Sequence, residues 1–397
     1  VLFRSIKGNV HYVGVNDRNK HRFEGMWPLP YGVSYNSYLI DDEMVALVDT
    51  VDICYFEVYL RKIKQVIGER PINYLIINHM EPDHSGSIRL IKQHYPEIII
   101  VGNKQTFGMI EGFYGVTGEQ YLVKEGDFLA LGHHKLRFYM TPMVHWPETM
   151  MTFDETDGVL FSGDGFGCFG TVDGGFLDTR INVDKYWGEM VRYYSNIVGK
   201  YGSPVQKALQ KLGGLPISAI CSTHGPVWTE NIAKVIGIYD RLSRYDADEG
   251  VVIAYGSMYG NTEQMAEAIA EELSAQGVKN IVMHNVTKSH PSYIIADIFR
   301  YKGLIIGSPT YSNQIFPEVE ALLSKILLRE VKGRYLGYFG SFTWAGAAVK
   351  RLAEFAEKSK FELVGDPVEM KQAMKDLTYT QCENLARAMA DRLKKDR

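Results

Sequence analysis

The sequence contains little cysteine and no long apolar run. Its four cysteines are widely separated and form no Cys-x-x-Cys pair, which argues against a disulfide framework, a rubredoxin-type iron site and a zinc ribbon. No apolar stretch approaches the roughly 18 residues that a membrane-spanning helix requires, and the opening residues, VLFRSIKGNV, lack the apolar segment of a signal peptide. We therefore expect a cytoplasmic protein whose thiols are reduced.

A surplus of basic charge is also absent. The chain has 43 Lys and Arg against 47 Asp and Glu, which gives a formal net charge of -4 at pH 7. Such a chain has no basic field that would attract nucleic acid, and no long Lys or Arg run indicates binding to a membrane surface. We therefore expect a small substrate or a protein partner.

Length and composition predict two globular domains. The chain has 397 residues, which is more than one ordinary core supports. Apolar residues make up 46% and charged residues 23%, and these values are typical of folded, soluble proteins. We predict one domain over residues 1–248 and a second over residues 249–397, with the charged stretch SRYDADEG as the linker.

The first region alternates short strands with helices. Strand-like runs open it (VHYVGV, SYNSYLI and MVALVDT), and a second series runs through KLRFYMTP, MMTFDET and DGVLFSGD. A helical pattern over about residues 55–67 precedes the apolar run NYLIIN. This order predicts an αββα sandwich, in which two mixed sheets pack face to face and helices cover the outside.

The second region repeats a strand, a loop and a helix. Five apolar runs, among them VVIAY and GLIIGSP, are each followed by a helical pattern, which predicts a doubly wound parallel sheet that binds ligands at the carboxyl ends of its strands. The first loop suits a phosphate, because backbone N–H groups at a helix N-terminus face an anion there. The three loops at these strand ends contain Ser257, Met258, Tyr259, Gly260, Asn261 and Thr262; Ser308, Pro309, Thr310, Tyr311, Ser312 and Asn313; and Ser341, Phe342, Thr343, Trp344, Ala345 and Gly346.

A cluster of potential metal ligands follows the apolar run in NYLIINHMEPDH. His79, Glu81 and Asp83 alternate along the chain and can converge, while His84 faces a second site, so the spacing suits two metals better than one. The alternative interpretation is an N-capping turn with solvated neighbours. It is disfavoured because three further ligand-type residues follow apolar runs in loops marked by Gly or Pro: His145, Asp164 and His224.

The motif His-x-Glu-x-Asp-His with a distant His, Asp and His resembles the metallo-β-lactamase-like domain of the flavodiiron proteins, also called A-type flavoproteins. The later loops resemble those of flavodoxins. Hydrolases of this superfamily carry His-x-His-x-Asp-His and bind zinc, whereas Glu81 occupies the second histidine position here. A carboxylate makes the site more negative and harder, which favours iron.

The resemblance implies the roles of individual residues. His79, Glu81 and His145 would bind one iron, and Asp164 would bridge it to the other. Asp83, His84 and His224 would bind the second iron, although the histidine that corresponds to His84 turns away from the metal in some relatives. Asp49 matches a motif residue that braces the metal loops from behind; the alternative for Asp49 is an ordinary turn residue at the end of a strand.

The resemblance also implies cofactors and assembly. The cofactors would be two non-haem irons per chain and FMN, which the lack of a Gly-x-Gly-x-x-Gly fingerprint favours over FAD. Trp344 and Tyr311 would flank the flavin. A head-to-tail homodimer, or a tetramer built from it, would bring the flavin of one chain to the irons of another, with Trp146 either at that junction or in a structural role.

The implied function is the reduction of dioxygen to water at the diiron site with electrons passed through FMN. Reduction of nitric oxide to nitrous oxide at the same site is the close alternative. The electron donor would be a separate rubredoxin, a flavin reductase or reduced F420. Two further interpretations remain open: a zinc hydrolase fused to a flavodoxin, which Glu81 disfavours, and a flavodoxin-type electron carrier with a decayed metal domain, which the filled ligand positions disfavour.

Overall fold

The computed structural model describes residues 4–396, and the chain divides into two compact units. The first unit comprises residues 4–194 and 201–243, and the second comprises residues 195–200 and 244–396. The predicted boundary, after residue 248, lies five positions beyond this division, and the first strand of the second unit begins at Asp248. No helix among the described residues is long and apolar enough to cross a membrane.

The first unit contains two main sheets, two small two-stranded sheets and the helices that connect their strands. Its elements in chain order are β1 (Ser5–Lys7), β2 (Val10–Tyr12), β3 (Val15–Asp17), β4 (Arg22–Phe23), β5 (Trp27–Pro28), β6 (Val33–Tyr35), β7 (Tyr38–Ile40), β8 (Ala46–Val48), α1 (Phe56–Ile67), β9 (Tyr74–Ile76), α2 (Pro82–Ser85), α3 (Ile88–His94), β10 (Ile99–Gly102), α4 (Lys104–Tyr114), β11 (Gln120–Leu122), β12 (Phe128–Ala130), β13 (Lys135–Met140), β14 (Met150–Asp154), β15 (Val159–Gly163), α5 (Asp184–Tyr193), α6 (Gly202–Leu212), β16 (Ala219–Ser222) and α7 (Ile232–Ser243).

Both main sheets of this unit are mixed. The first has the strand order β1-β2-β7-β8-β9-β10-β11, and its strands from β8 onward are parallel. The second has the order β12-β13-β14-β15-β16, in which only β15 and β16 are parallel to each other. The inward faces share one apolar core, where Val48 and Ile76 of the first sheet belong to the same cluster as Phe138 and Phe161 of the second. The predicted sandwich is confirmed.

The second unit is built around one parallel sheet. Its elements in chain order are β17 (Asp248–Tyr255), α8 (Asn261–Ala275), β18 (Ile281–Asn285), α9 (Pro291–Arg300), β19 (Tyr301–Tyr311), β20 (Gln314–Ile315), α10 (Pro317–Arg329), β21 (Tyr335–Phe342), α11 (Ala348–Ser359), β22 (Glu362–Leu363), β23 (Val368–Lys371) and α12 (Asp376–Lys394).

The strand order β18-β17-β19-β21-β22 is that of a doubly wound fold, with neighbouring strands parallel, as predicted. Two details differ from the prediction. The fifth strand is interrupted, because β22 and β23 pair with different parts of β21 on either side of Gly365, which has a φ of +71°. The second predicted loop begins as strand: β19 continues to Tyr311 and forms a tight hairpin with β20.

Candidate metal centre and cofactor loops

Four loops of the first unit carry the predicted metal ligands. The first follows β9, the second joins β13 to β14, and the other two follow β15 and β16. Because β15 and β16 are parallel neighbours, their carboxyl ends lie at the same edge of the sheet. The Met150 N–H donates to the Asn78 carbonyl at 3.0 Å and connects this edge to the end of β9. All seven predicted ligands therefore lie in loops at neighbouring strand ends.

Asp49 holds the first ligand loop in place. Its carboxylate accepts hydrogen bonds from Asn78, at 2.8 Å from the backbone N–H and 3.0 Å from Nδ2. The next residue, Thr50, donates from both its N–H and its hydroxyl to the His84 carbonyl. Asp49 thus contacts the residue before His79 and not a ligand itself, which agrees with a bracing role.

The first group of ligand atoms contains two imidazoles and two carboxylates. His145 Nε2 lies 3.2 Å from Glu81 Oε2 and 3.0 Å from Asp164 Oδ2. His79 Nε2 lies 3.3 Å from His145 Nε2 and 3.7 Å from the same two carboxylate atoms. Ligand atoms that bind one transition metal at about 2.1 Å lie roughly 3 to 3.5 Å apart, so this spacing suits one ion.

The second group lies on the other side of Asp164. His84 Nε2 is 3.1 Å from Asp164 Oδ1 and 3.5 Å from Asp83 Oδ1, and His224 Nε2 is 3.2 Å from Asp83 Oδ2 and 3.6 Å from Asp164 Oδ1. His84 therefore directs Nε2 into the cluster and does not turn away. Asp164 offers Oδ2 to the first group and Oδ1 to the second, which is the arrangement of a bridging carboxylate.

The negative charges of the cluster favour the binding of a cation. Burial alone would lower the pKa of His84, but the charges of Asp83 and Asp164 raise it to about 9. Burial would likewise lower the pKa of His145, yet its hydrogen bonds with Asp164 and Glu81 raise it to about 9. The three carboxylates and four imidazoles thus attract positive charge strongly, whether as protons or as metal ions.

Several buried ligand atoms without a hydrogen-bond partner mark where a metal ion could bind. Both carboxylate oxygens of Asp83, both ring nitrogens of His84 and Nε2 of His224 are buried without a hydrogen-bond partner among the described residues. Such atoms are costly unless something else satisfies them. Imidazole nitrogens and carboxylate oxygens in this ratio suit iron, so the residues present fit two iron ions.

A cavity of about 770 Å³ opens beside this cluster. Glu81 and Asp83 form part of its wall, together with Lys20, Phe23 and Tyr114. Lys20 donates from Nζ to the Tyr35 hydroxyl at 2.9 Å and to Asp52 at 3.1 Å. A small molecule entering the cavity would reach the carboxylate side of the cluster first.

Glu148 was not predicted, although it contacts a predicted ligand. Its Oε1 lies 2.7 Å from His79 Nδ1 and accepts the Met80 N–H at 2.9 Å. Sequence gave no sign of this contact, because the two residues are 69 positions apart. Trp146 is half-buried, and its ring lies edge-on to that of His79 with 5.3 Å between the centroids.

His134 was left out of the predicted site, and it has a separate partner. Its Nδ1 lies 2.9 Å from Asp154 Oδ2, and both side chains are buried. With Asp157 these residues form a third group that could hold a metal. The Asp154 carboxylate, however, is already satisfied by His134 and the Thr156 N–H.

In the second unit, the three predicted loops lie side by side at the carboxyl ends of β17, β19 and β21. The Thr262 and Ser341 hydroxyls are 2.8 Å apart, and Thr310 Oγ1 accepts from the N–H groups of Ala347 and Ala348. Ser312 and Asn313 adopt positive φ angles in the β19–β20 hairpin, which Asn tolerates better than most residues. The loops thus form one continuous rim.

The exposed and unpaired groups on this rim fit a planar cofactor with a phosphate. Tyr259 is 90% exposed and Trp344 is 80% exposed, and Met258 and Tyr311 are also exposed. Helix α8 starts after Gly260 without a side-chain cap, so its first N–H groups are free for an anion. Exposed aromatic rings together with an uncapped helix N-terminus are what FMN would cover and satisfy.

Comparison with known protein families matches the two units separately. The family model described as ODP family beta lactamase matches residues 33–225, and the flavodoxin model matches residues 253–384. The two matches fall in the first and the second unit, respectively, apart from the short segment 195–200.

Curated relatives extend over both units. The anaerobic nitric oxide reductase flavorubredoxin of Vibrio vulnificus (strain YJ016) is 32% identical over 363 residues, which cover 90% of this chain and 73% of the relative. The protein of the same name from Escherichia coli O1:K1 / APEC is 31% identical over 364 residues, covering 90% of this chain and 76% of the relative.

Solved structures share the complete fold. Rubredoxin oxygen:oxidoreductase from the anaerobe Desulfovibrio gigas has a TM-score of 0.94 at 31% identity and covers 98% of both chains. The flavodiiron protein from Giardia intestinalis has a TM-score of 0.92 at 26% identity and covers 99% of this chain and 98% of its own.

Proposed function

This chain belongs to the flavodiiron protein family of oxidoreductases, with FMN and a non-haem diiron site as cofactors, and we propose that it reduces dioxygen to water. One dioxygen molecule takes up four electrons and four protons to give two water molecules. The flavorubredoxin relatives are named for nitric oxide and the Desulfovibrio gigas protein for oxygen, so the choice of gas is our proposal.

The convergence of seven side chains carries this function. His79, Glu81 and His145 would hold one iron, and Asp83, His84 and His224 the other, with Asp164 between them. The distances of 3.0 to 3.7 Å in the first group and 3.1 to 3.6 Å in the second support this assignment. A zinc hydrolase remains disfavoured because three carboxylates make a site that stabilises the ferric state. Bound irons supply two electrons and a binding point for the gas, and reduced FMN supplies two more electrons.

The protein's own groups prepare the site for this chemistry. Asp164 holds the two groups together, and Asp49 fixes the loop that carries four of the ligands. Four of the seven ligands are fully buried, and the other three, Glu81, Asp83 and His145, are only slightly exposed. Of these three, Glu81 and Asp83 line the cavity. Bulk water is thereby kept from most of the cluster, and the gas approaches from one direction.

We further propose that the three loops of the second unit bind FMN. The first loop, Ser257–Thr262, would hold the phosphate at the start of α8. Tyr311 and Trp344 would flank the isoalloxazine ring, and the remaining loop residues would line it. The uncapped helix and the exposed rings support this assignment.

Reduction of nitric oxide is the second candidate. Two nitric oxide molecules take up two electrons and two protons to give nitrous oxide and water, so the same site could perform this reaction with fewer electrons. The names of the flavorubredoxin relatives favour it. The four-electron capacity of diiron plus FMN favours dioxygen.

The active assembly is proposed to be a head-to-tail homodimer, or a tetramer made of such dimers. The cavity beside Glu81 and Asp83 has Phe113 on its wall, and this side chain is exposed in the single chain. A second copy could present its flavin there. Full activity of a monomer, established by light scattering at assay concentration, would contradict this proposal.

The remaining assignments concern the donor and the compartment. A separate rubredoxin, a flavin reductase or reduced F420 would supply electrons. We propose a cytoplasmic location, supported by four free thiols, three of them buried. Reduction of the bound flavin by each purified donor, followed by absorbance, would identify the physiological class.

The first test is the metal content of anaerobically purified protein. About two irons per chain are expected. Zinc in place of iron, obtained from iron-replete cells, would contradict the proposed function and revive the hydrolase alternative. Steady-state rates with each gas under the same reductant supply then decide between dioxygen and nitric oxide.

A further inference from the structure

Three of the four imidazoles of the cluster, those of His79, His84 and His224, differ in what contacts Nδ1. Each directs Nε2 toward the carboxylates of the cluster. His224 Nδ1 lies 2.8 Å from the Ser34 carbonyl oxygen, which can only accept, whereas His84 Nδ1 is buried without a hydrogen-bond partner. His79 Nδ1 lies 2.7 Å from Glu148 Oε1. Among these three histidines, only His79 therefore has a carboxylate behind it.

The surroundings of Glu148 concentrate its charge on His79. The side chain is fully buried. Oε1 accepts from both His79 Nδ1 and the Met80 N–H, while Oε2 is buried and has no hydrogen-bond partner. Among the described residues, no Lys or Arg side chain forms an ion pair with Glu148. Its charged or potentially charged partner is the imidazole of His79. Its negative charge is thus shared mainly with one imidazole.

The backbone around Glu148 keeps the carboxylate in this position. The Glu148 carbonyl accepts from Asn103 Nδ2 at 2.6 Å, and Asn103 also caps helix α4 by accepting from the Gln105 and Thr106 N–H groups. The residue is therefore anchored to an element outside the four ligand loops. A carboxylate fixed in this way can hold an imidazole ring at a defined angle.

We propose that Glu148 is a positioning residue that fixes the ring and tautomer of His79 and makes it a stronger electron donor than His84 or His224. A carboxylate behind a metal-bound imidazole raises the basicity of that ligand. The iron position that contains His79 is consequently held more tightly, and the ferric state of the pair is stabilised. This inference rests on the proposed assignment of His79 as an iron ligand.

Glu148→Gln removes the negative charge of the side chain and keeps its size and shape. The amide oxygen can still accept from His79 and Met80, and the NH2 group takes the place of Oε2, which has no hydrogen-bond partner to lose. We expect a 10- to 100-fold weaker hold on one of the two irons in chelator competition, and a positive shift of the diiron midpoint potential in a redox titration followed by electron paramagnetic resonance. The FMN potentials should not change.

Asp154→Asn is the matched control. Asp154 forms the same kind of buried contact with an imidazole, 2.9 Å from His134 Nδ1, but lies outside the cluster. This variant should lose stability while its iron affinity and diiron potential remain those of the unsubstituted protein. Glu148→Asp, which keeps the charge, should retain more iron affinity than Glu148→Gln and provides the test if the amide variant fails to fold.

Each outcome separates the inference from the function on which it rests. If Glu148→Gln binds both irons as tightly as the unsubstituted protein at an unchanged potential, Glu148 is merely structural and the inference is overturned. Weaker retention by Glu148→Asp than by Glu148→Gln would overturn it as well. If the unsubstituted protein itself holds no iron when purified without oxygen, the proposed function fails instead.

Discussion

The two candidate sites of this chain are built in opposite ways. In the first unit, seven ligand side chains are buried and already point toward one another. In the second unit, the aromatic residues expected to contact the cofactor are exposed, with Trp344 and Tyr259 almost fully in water. The chemistry of each ligand explains the difference: an ion needs preorganised charges shielded from water, whereas a flat apolar ring needs surfaces that it can cover.

This difference has a consequence for folding. Buried carboxylates without a counter-charge are expensive, so the first unit depends on metal or on protons for part of its stability. Exposed aromatic side chains cost little, so the second unit should remain folded without its cofactor. Four experiments test this difference between the two sites.

The largest effect is expected from Asp164→Asn. This change removes the charge that both groups of ligands share, because Oδ2 faces His145 and Oδ1 faces His84. We expect iron to fall from about two to fewer than one per chain and turnover to fall at least about 100-fold, consistent with the loss of a buried charge partner. Iron is measured by mass spectrometry and turnover by oxygen consumption.

Asp178→Asn is the control for this change. Asp178 is also buried, and it binds the backbone of Thr229 and Asn231 away from the cluster. The Asp178→Asn variant should be less stable than the unsubstituted protein but should retain its iron. Two irons per chain in Asp164→Asn would contradict a bridging role.

Removal of the ligands should affect the two units separately. A ligand present at about 100 times its Kd stabilises the folded state by about 2.7 kcal/mol, so chelation of iron should increase hydrogen exchange in peptides around residues 79–84. Removal of FMN should increase exchange around residues 257–262 and leave the first region unchanged. Equal responses of both regions to both treatments would show that the two sites do not stabilise their units independently.

A smaller effect is expected from Trp344→Ala. Loss of one large aromatic surface should weaken FMN binding about 10-fold, equivalent to about 1.4 kcal/mol. Iron content should not change. Fluorescence titration of the FMN-free protein measures the affinity, and Leu377→Ala, another exposed apolar residue of the same unit, is the control. An affinity within twofold of the unsubstituted protein would remove Trp344 from the site.

The smallest effect concerns an exposed carboxylate of the first unit. The hydrogen bond from Lys185, aided by Arg18, lowers the pKa of Asp173 from its ordinary value of 3.8 to about 2. A lowered pKa stabilises the fold above pH 3.8, and this contribution is lost as the pH falls through 2. The Asp173 side chain is 49% exposed, so solvent screening limits the contribution to about 0.5 kcal/mol.

Lys185→Gln should therefore lower the free energy of unfolding by no more than this amount at pH 7, and by less near pH 2.5. Urea titrations at the two pH values measure both quantities. A decrease of several kcal/mol in the free energy of unfolding would show that the exposed Asp173 carboxylate contributes as much as a buried one.

Much of the fold could be predicted from local patterns. The parallel strands of the second unit are continuous apolar runs, because helices cover both faces of the sheet. The interruption of the fifth strand at Gly365 and the extension of β19 to Tyr311 were missed. Both depend on pairing with a neighbouring strand, and a single segment does not reveal its partner.

The candidate site was predictable to a similar degree. Its seven ligands stand in loops after apolar runs, a setting that can be recognised residue by residue. Glu148 and the Lys20–Tyr35 contact at the cavity wall were not recognised. A lone Glu after His-Trp-Pro has no distinguishing neighbour in the sequence, and its partner is brought near only by folding.

The kinds of ligand and their positions at strand ends could be read from the sequence, since residue type and apolar periodicity are local properties. Which carboxylate oxygen faces which imidazole, and which group contacts Nδ1 of His79 and His224, depends on tertiary packing. His224 and Ser34 are 190 positions apart, and folding brings the loop after β16 against β6, where their contact forms. Distances of 3 Å between remote residues are set by packing of the whole unit, which no short segment encodes.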